Sequence, residues 1–191
     1  PAPNLSDVWG DLLDPRYMPQ QEQTETYPSA ALCAFQREMR ELTGTKRGAR
    51  VRHHEYSKHS TKIVEKFQHM LTHNGEIPAD SKTKKFAQRL LRAEWGEDGP
   101  NITVTSLPDD FVHYAQPRSL TVREWARLQT FPDHYEFMGP RTTGGTRRAG
   151  VPTEGVWDRE VPQYTQIGNA VPVRLAKAIG LHFRNLLQVR R

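Results

Sequence analysis

"RSLTVREWARLQTFPD", residues Arg118 to Asp133, carries the strongest local signal in the chain. Thr121 and Glu124 stand at T-x-x-E spacing, in which a hydroxyl and a carboxylate each satisfy the other residue's backbone N–H at a helix start. The spacing predicts a short helix beginning at Thr121 and closed by Pro132, because proline lacks a donor and disfavours helical backbone in the residue before it. Arg118, Thr121, Glu124, Arg127 and Asp133 read as architecture: a cap, a helix able to carry salt bridges, and a Phe-Pro-Asp turn.

Upstream of this block, the alternation in "NITVTSL" (101–107) predicts a strand with Ile102, Val104 and Ser106 on one face, and "DFVHY" (110–114) predicts a second. Two amphipathic helices precede them. Ile63, Val64, Phe67, Met70 and Leu71 form one stripe; Phe86, Ala87, Leu90 and Leu91 form the other. "TKRGARVRHHEYSKHS" (45–60) is basic and histidine-rich without a period, and reads as a loop or exposed edge. "SAALCAFQREMRELTG" (29–44) predicts a helix capped by Ser29, with Leu32, Phe35, Met39 and Leu42 at helical spacing and Gly44 as its stop. Residues 1–28, rich in Pro and Gln, read as a linker or surface arm with one short helix in "SDVWGDLL", capped by Ser6.

Downstream, Gly139 to Thr165 holds five glycines and four arginines without periodicity, a long loop. "QIGNAVPVRLAKAIG" (166–180) then reads as the opening of a helix running from about Pro172 to Leu187, with Val171, Leu175, Ile179, Phe183 and Leu186 on one side.

Composition bounds what such a chain does. Its 191 residues suffice for one domain, or one domain plus a segment that packs elsewhere. A hydrophobic share of 36% and a mean hydropathy of −0.77 point to a small core, while four Trp and seven Phe argue against disorder. The net charge of +5 suits an acidic partner such as nucleic acid. No apolar run approaches a membrane span. A single cysteine precludes an internal disulfide and agrees with a reducing cytoplasm. The chain begins at Pro1, which suggests a piece of something larger.

The Arg118–Asp133 and Gln166–Gly180 blocks, in this order, resemble the last two motifs of the DNA cytosine-5 methyltransferases. "ITV" at Ile102–Val104 adds a weaker match to the Thr-plus-aliphatic pair of that family's target-recognition region. The resemblance implies an α+β chain: a small target-recognition lobe with short strands and several helices, plus a C-terminal helix that belongs to the Rossmann-like α/β catalytic lobe of the parent enzyme. It implies an arm and helix over 1–44, the target-recognition lobe over 45–138, the Gly/Arg-rich loop over 139–165, and over 166–191 the helix that completes the catalytic lobe. Double-stranded DNA is then the substrate and S-adenosylmethionine the cofactor, shared with a catalytic lobe that is covalently attached or a separate subunit. A soluble cytoplasmic enzyme of DNA methylation, of the restriction-modification kind, is what such a parent would be.

On this resemblance Asn169, Ala170 and Val171 are cofactor-binding candidates. A helix N-terminus beside them offers unpaired N–H groups and partial positive charge for a carboxylate, and Asn169 can both donate and accept. Thr103, Arg50, Arg52 and His54 are candidate DNA contacts, with Arg and His able to meet phosphates or guanine edges. A solvated basic loop is the plain alternative for 50–59, and Arg147 and Arg148 in the long loop have no assigned role.

No catalytic residue is present. The family's thiolate follows a proline, whereas Cys33, the sole cysteine, follows Leu32 and reads as structural. Nor does the chain hold Glu-Asn-Val, Phe-x-Gly-x-Gly or Gln-x-Arg-x-Arg, all of which precede the recognition region in the family. The expected activity of the isolated chain is therefore nil. The alternatives are a free-standing basic DNA-binding module and, more remotely, a histidine-metal nuclease built on His53, His54, His59, His69 and His73; no Cys pair, finger-type His spacing or acidic cluster supports a metal.

Overall fold

In a computed structural model of the chain, residues 4–19, 25–82, 88–94, 110–142 and 161–189 are described. Their elements run α1 (Leu5–Trp9), α2 (Ala34–Met39), α3 (Thr61–Thr72), a 3-10 turn (Ala79–Ser81), β1 (Arg89–Leu90), β2 (Phe111–Val112), α4 (Val122–Leu128), α5 (Gln163–Asn169) and α6 (Val173–Val189). β1 and β2 pair in parallel, Arg89 opposite Phe111 and Leu90 opposite Val112. Mixed helix and short strand content agrees with an α+β chain.

The capping box forms as its spacing predicts. Glu124 N–H donates to Thr121 Oγ1 at 3.2 Å and Thr121 N–H donates to Glu124 Oε2 at 2.8 Å. Around α4 sits the main core, in which α1, α2 and α5 also bury their apolar sides: Leu5, Trp9 and Leu12 from the N-terminal stretch, Phe35 and Met39 from α2, Trp125 and Ala126 from α4, Tyr164 and Ile167 from α5. Trp9 Nε1–H donates to the Glu124 carbonyl at 2.9 Å, so the first helix is bonded to the centre of the fourth. A smaller cluster, Phe67 and Met70 on α3 against Val112, seats α3 on the strand pair.

Several local expectations are corrected. The stretch 1–28 reads as a linker or surface arm with one short helix; that helix forms as α1, but it buries Leu5, Val8 and Trp9 in the core and is capped by Asn4 and Asp7 rather than Ser6. The helix expected over 29–44 contracts to Ala34–Met39, with Cys33 in extended conformation at its start. Gln36 accepts the Leu32 N–H at 2.7 Å and Arg40 donates to the carbonyls of Ser29, Gly44 and Lys46, so side chains take over backbone groups at both ends, and Leu32 and Leu42 lie exposed. Leu90 lies in a strand, not in a helix with Leu91; Phe86 and Ala87 lie outside the described residues, as does the strand expected over 101–107. "DFVHY" does supply a strand, at Phe111–Val112.

Candidate functional site at the junction of the last two helices

Residues 163–173 form two helices with a break, not one helix opening. Ala170, at φ −83° and ψ 146°, ends α5, and Val171 precedes a proline, which pushes it out of the helical region. α5 is held by its glutamines: Gln163 Nε2 donates to the carbonyls of Phe137 and Gly139 at 3.1 and 2.9 Å, and Gln166 Nε2 to those of Met138 and Val161, both at 2.8 Å. Tyr164 Oη donates to the Leu120 carbonyl at 2.7 Å, and Ile167 is fully buried. These contacts fix the side of the junction on which Asn169 (exposed), Ala170 (half-buried) and Val171 (exposed) present themselves.

The first turn of α6 is not an open anion site. Val173 N–H donates to the Gln129 carbonyl at 3.0 Å and Arg174 N–H to Thr130 Oγ1 at 2.9 Å. Arg174 also makes a two-point ion pair with Glu38 on α2, one arm of it 3.3 Å long, and lies 4.8 Å over the Phe35 ring. Gln129, Thr130 and Glu38 were not identifiable from the sequence as partners of the last helix; only the fold brings them to it. Beyond that turn α6 is exposed as far as Gln188, and the stripe of Leu175, Ile179, Phe183 and Leu186, with Val171 just before the helix, is 45–59% accessible to solvent.

Behind the junction lies a buried charge network. Arg118 grips Glu124 through both carboxylate oxygens at 2.6 and 2.8 Å; Arg127 bonds Asp133 at 2.6 and 3.0 Å and also Asp11, which in turn accepts from Arg40 at 3.0 Å. Burial alone would raise the Glu124 and Asp133 pKa values, but the Arg118 and Arg127 guanidiniums hold both well below the carboxylate range. Arg118, Thr121, Glu124, Arg127 and Asp133 therefore are scaffold, as read; Asp11 and Arg40 join them from outside the block.

The candidate DNA contacts separate. Arg50 and Arg52 are exposed, together with Lys46, Arg47, Lys58 and Lys62 of the same segment, and Arg52 pairs with Glu136. His54 does not share that surface. It is 2% exposed, its Nδ1 bonded with Thr121 Oγ1 at 3.0 Å and its Nε2 with the Leu12 carbonyl at 3.1 Å, so both nitrogens serve the scaffold. Burial, with Arg118 and Arg127 nearby, lowers its pKa to about 4. Thr103, Arg147 and Arg148 lie outside the described residues. Cys33 packs half-buried beside the core with Sγ 3.3 Å from the Asp7 carbonyl, a structural setting. His53 contacts Phe137, His59 contacts Phe67 and Ser119, and His69 stacks on His73. Among the described residues no three His, Cys, Asp or Glu side chains converge to hold a metal, and no helix is long and apolar enough to cross a membrane.

Residues 2–184 match the family of C-5 cytosine-specific DNA methylases. The chain is 31% identical over 181 residues to the Type II methyltransferase M.DdeI of Desulfomicrobium norvegicum, covering 86% of this chain and 40% of that protein. It is 33% identical over 129 residues to the Type II methyltransferase M.AquIB of Picosynechococcus, covering 68% of this chain and 84% of that protein. Against the Type II methyltransferase M.Eco47II of Escherichia coli the identity is 38% over 100 residues, 50% of this chain and 19% of that one. The chain thus spans less than half of M.DdeI and M.Eco47II, whereas M.AquIB is itself a short chain.

Proposed function

This chain belongs to the C-5 cytosine-specific DNA methylase family, and from that premise we propose that it is the DNA-recognition and C-terminal segment of an S-adenosylmethionine-dependent DNA cytosine-5 methyltransferase. It works as part of a longer chain or as one subunit of a split enzyme, and is inactive alone. The observation that carries the reading is α6: a helix that, among the described residues, is bonded to the lobe at its first turn, with an apolar stripe exposed beyond it. These side chains are already about half covered, so burying the rest of four or five of them is worth about 1 kcal/mol each before entropy is counted, which favours a second body coming onto the stripe. M.AquIB, short as it is, supports a two-chain arrangement.

In this reading α6 docks against the catalytic lobe and carries Asn169, Ala170 and Val171 to the edge of the cofactor pocket. The residues present fit such a ligand. Asn169 offers a carboxamide that donates and accepts, suited to an amino-acid zwitterion, and Val171 an apolar surface beside it. The contact comes from this side chain and the 169–171 backbone, not from the α6 N-terminus, whose Val173 and Arg174 N–H groups are already given to Gln129 and Thr130. When bound, S-adenosylmethionine supplies the methyl group; this chain orients the cofactor's edge and holds the DNA. For the DNA side, Arg50 and Arg52 on the exposed basic segment, with Thr103, are the proposed backbone contacts. His54 is no longer among them.

The test is reconstitution. The chain alone is expected to transfer no labelled methyl group to duplex DNA, and activity is expected to return when a catalytic lobe bearing Phe-x-Gly-x-Gly, Pro-Cys and Glu-Asn-Val is added. Calorimetric titration of cofactor into the pair is expected to give weaker binding after Asn169→Ala, by about fivefold, the cost of one hydrogen bond, with assembly intact. Methylation by the chain alone, lost on Cys33→Ala, would overturn the reading.

A further inference from the structure

The turn that receives α6 is built on an unusual residue. After α4, Thr130 N–H donates to the Arg127 carbonyl at 3.0 Å and Phe131 N–H to the Ala126 carbonyl at 2.9 Å. This is the paired bonding that ends a helix through one left-handed residue, a place taken by glycine, or sometimes asparagine, because a Cβ there crowds the backbone. Here the residue is Thr130, at φ +57°. A β-branched side chain in that region is disfavoured, and an outlier of this kind calls for something that the side chain does.

What it does is visible across the junction. Thr130 Oγ1 accepts the Arg174 N–H at 2.9 Å, and the Gln129 carbonyl beside it accepts the Val173 N–H at 3.0 Å. The first turn of α6 is thereby capped by the end of α4 and not by its own preceding residues, which are Val171 and Pro172. The break at 170–172 means that α5 cannot set the direction of α6 through a continuous helix. The Arg174 guanidinium, paired with Glu38 and lying over Phe35, ties the same turn to α2 from the other side.

We propose that Thr130 is a positioning residue for assembly: its hydroxyl, held in place by a left-handed backbone, fixes the angle at which α6 leaves the lobe and so presents the apolar stripe already aligned for the body that covers it. Preorganisation of this kind raises affinity by removing an ordering cost from the binding step. The proposal rests on the reading that α6 docks on a catalytic lobe, but its first consequence does not.

Two measurements separate them. In the full chain alone, amide hydrogen exchange at Arg174 is expected to speed up about tenfold in Thr130→Gly, which accepts the left-handed backbone but has no hydroxyl, and to stay near wild type in Thr130→Ser. In the mixture with the catalytic lobe, Thr130→Gly is expected to bind about five- to tenfold more weakly and Thr130→Ser as tightly as wild type, with circular dichroism unchanged in both. Arg174 exchange unaltered by Thr130→Gly overturns the proposal, whatever the lobe does. If the exchange changes as expected but wild type and Thr130→Gly pair with equal affinity, Thr130 caps α6 without aiding assembly, and the proposal again fails while the functional reading stands. Failure of the wild-type chain to bind any catalytic lobe defeats the functional reading and, with it, the assembly role.

Discussion

His54 and His113 both feel the Glu124 carboxylate, His113 Nε2 lying 3.6 Å from it, and both are buried and neutral. Burial lowers their pKa values to about 4 and about 3, helped in each case by the nearby Arg118 guanidinium and opposed by the Glu124 carboxylate. His113 Nδ1 accepts the Ala115 N–H at 3.0 Å, and His54 bridges Thr121 and Leu12, so each ring is fixed in place. In the unfolded chain both rings titrate near the ordinary histidine value of about 6.5. Between that value and the folded ones the unfolded state binds more protons, so stability is complete above about pH 6.5 and falls as pH drops. At pH 5 the loss comes to roughly 2 kcal/mol per buried ring. Glu124 and Asp133, lowered in the fold, lose their contribution only further down, as pH falls below the ordinary carboxylate value and through their own. Urea unfolding monitored by tryptophan fluorescence is therefore expected to show a markedly lower midpoint at pH 5 than at pH 7; equal midpoints would mean that these rings are not held neutral.

At the scale of elements, what the sequence displays depends on how local the determinant is. The α4 start was readable because both members of the capping box lie within four residues, and so was the α6 stripe, which repeats over several turns. α1 was legible as a short helix but not as part of the core: its burial against α4, more than a hundred residues away, has no local signature, as the Trp9 to Glu124 bond illustrates. Leu90 was misread because a two-residue strand has no period and its order comes from pairing with Phe111 and Val112. The junction was half legible. Asn169, Ala170 and Val171 could be singled out by resemblance, whereas the capping of α6 by Gln129 and Thr130 appears only once α4 and α6 meet. A substitution on α6 should follow the same division. Leu175 lies 51% exposed on the stripe and outside the core, so Leu175→Asp is expected to leave the chain's unfolding free energy in urea within about 0.5 kcal/mol of wild type, yet to weaken binding of the catalytic lobe about a hundredfold, because a charge would enter an apolar contact. Analytical ultracentrifugation of the mixture measures the second effect; a destabilised chain with normal pairing would place Leu175 in a core of its own.

Across the whole molecule, charge is distributed unevenly. The segment from Lys46 to Lys62 exposes six Lys and Arg residues against one acid, Glu55, and no Asp or Glu occurs after Glu160. Among the described residues the buried arginines, Arg40, Arg118, Arg123 and Arg127, take no part in this surface, since Asp11, Glu124 and Asp133 neutralise three of their charges inside the scaffold and solvent does not reach them. On the proposed reading, a duplex would meet the 46–62 segment as a cationic surface. Binding there would release counterions, with log K falling linearly against log salt by about 0.9 per phosphate neutralised. The double variant Arg50→Ala, Arg52→Ala is therefore expected to reduce that slope by about 2 in fluorescence anisotropy with labelled duplex, weakening binding at low salt across all sequences alike. Glu136 sharpens the test. It pairs with Arg52 on the surface, so Glu136→Gln frees that guanidinium for phosphate and is expected to tighten binding at low salt, the opposite direction from the double variant. A slope unchanged by the double variant, with Glu136→Gln silent, would move the DNA surface away from this segment.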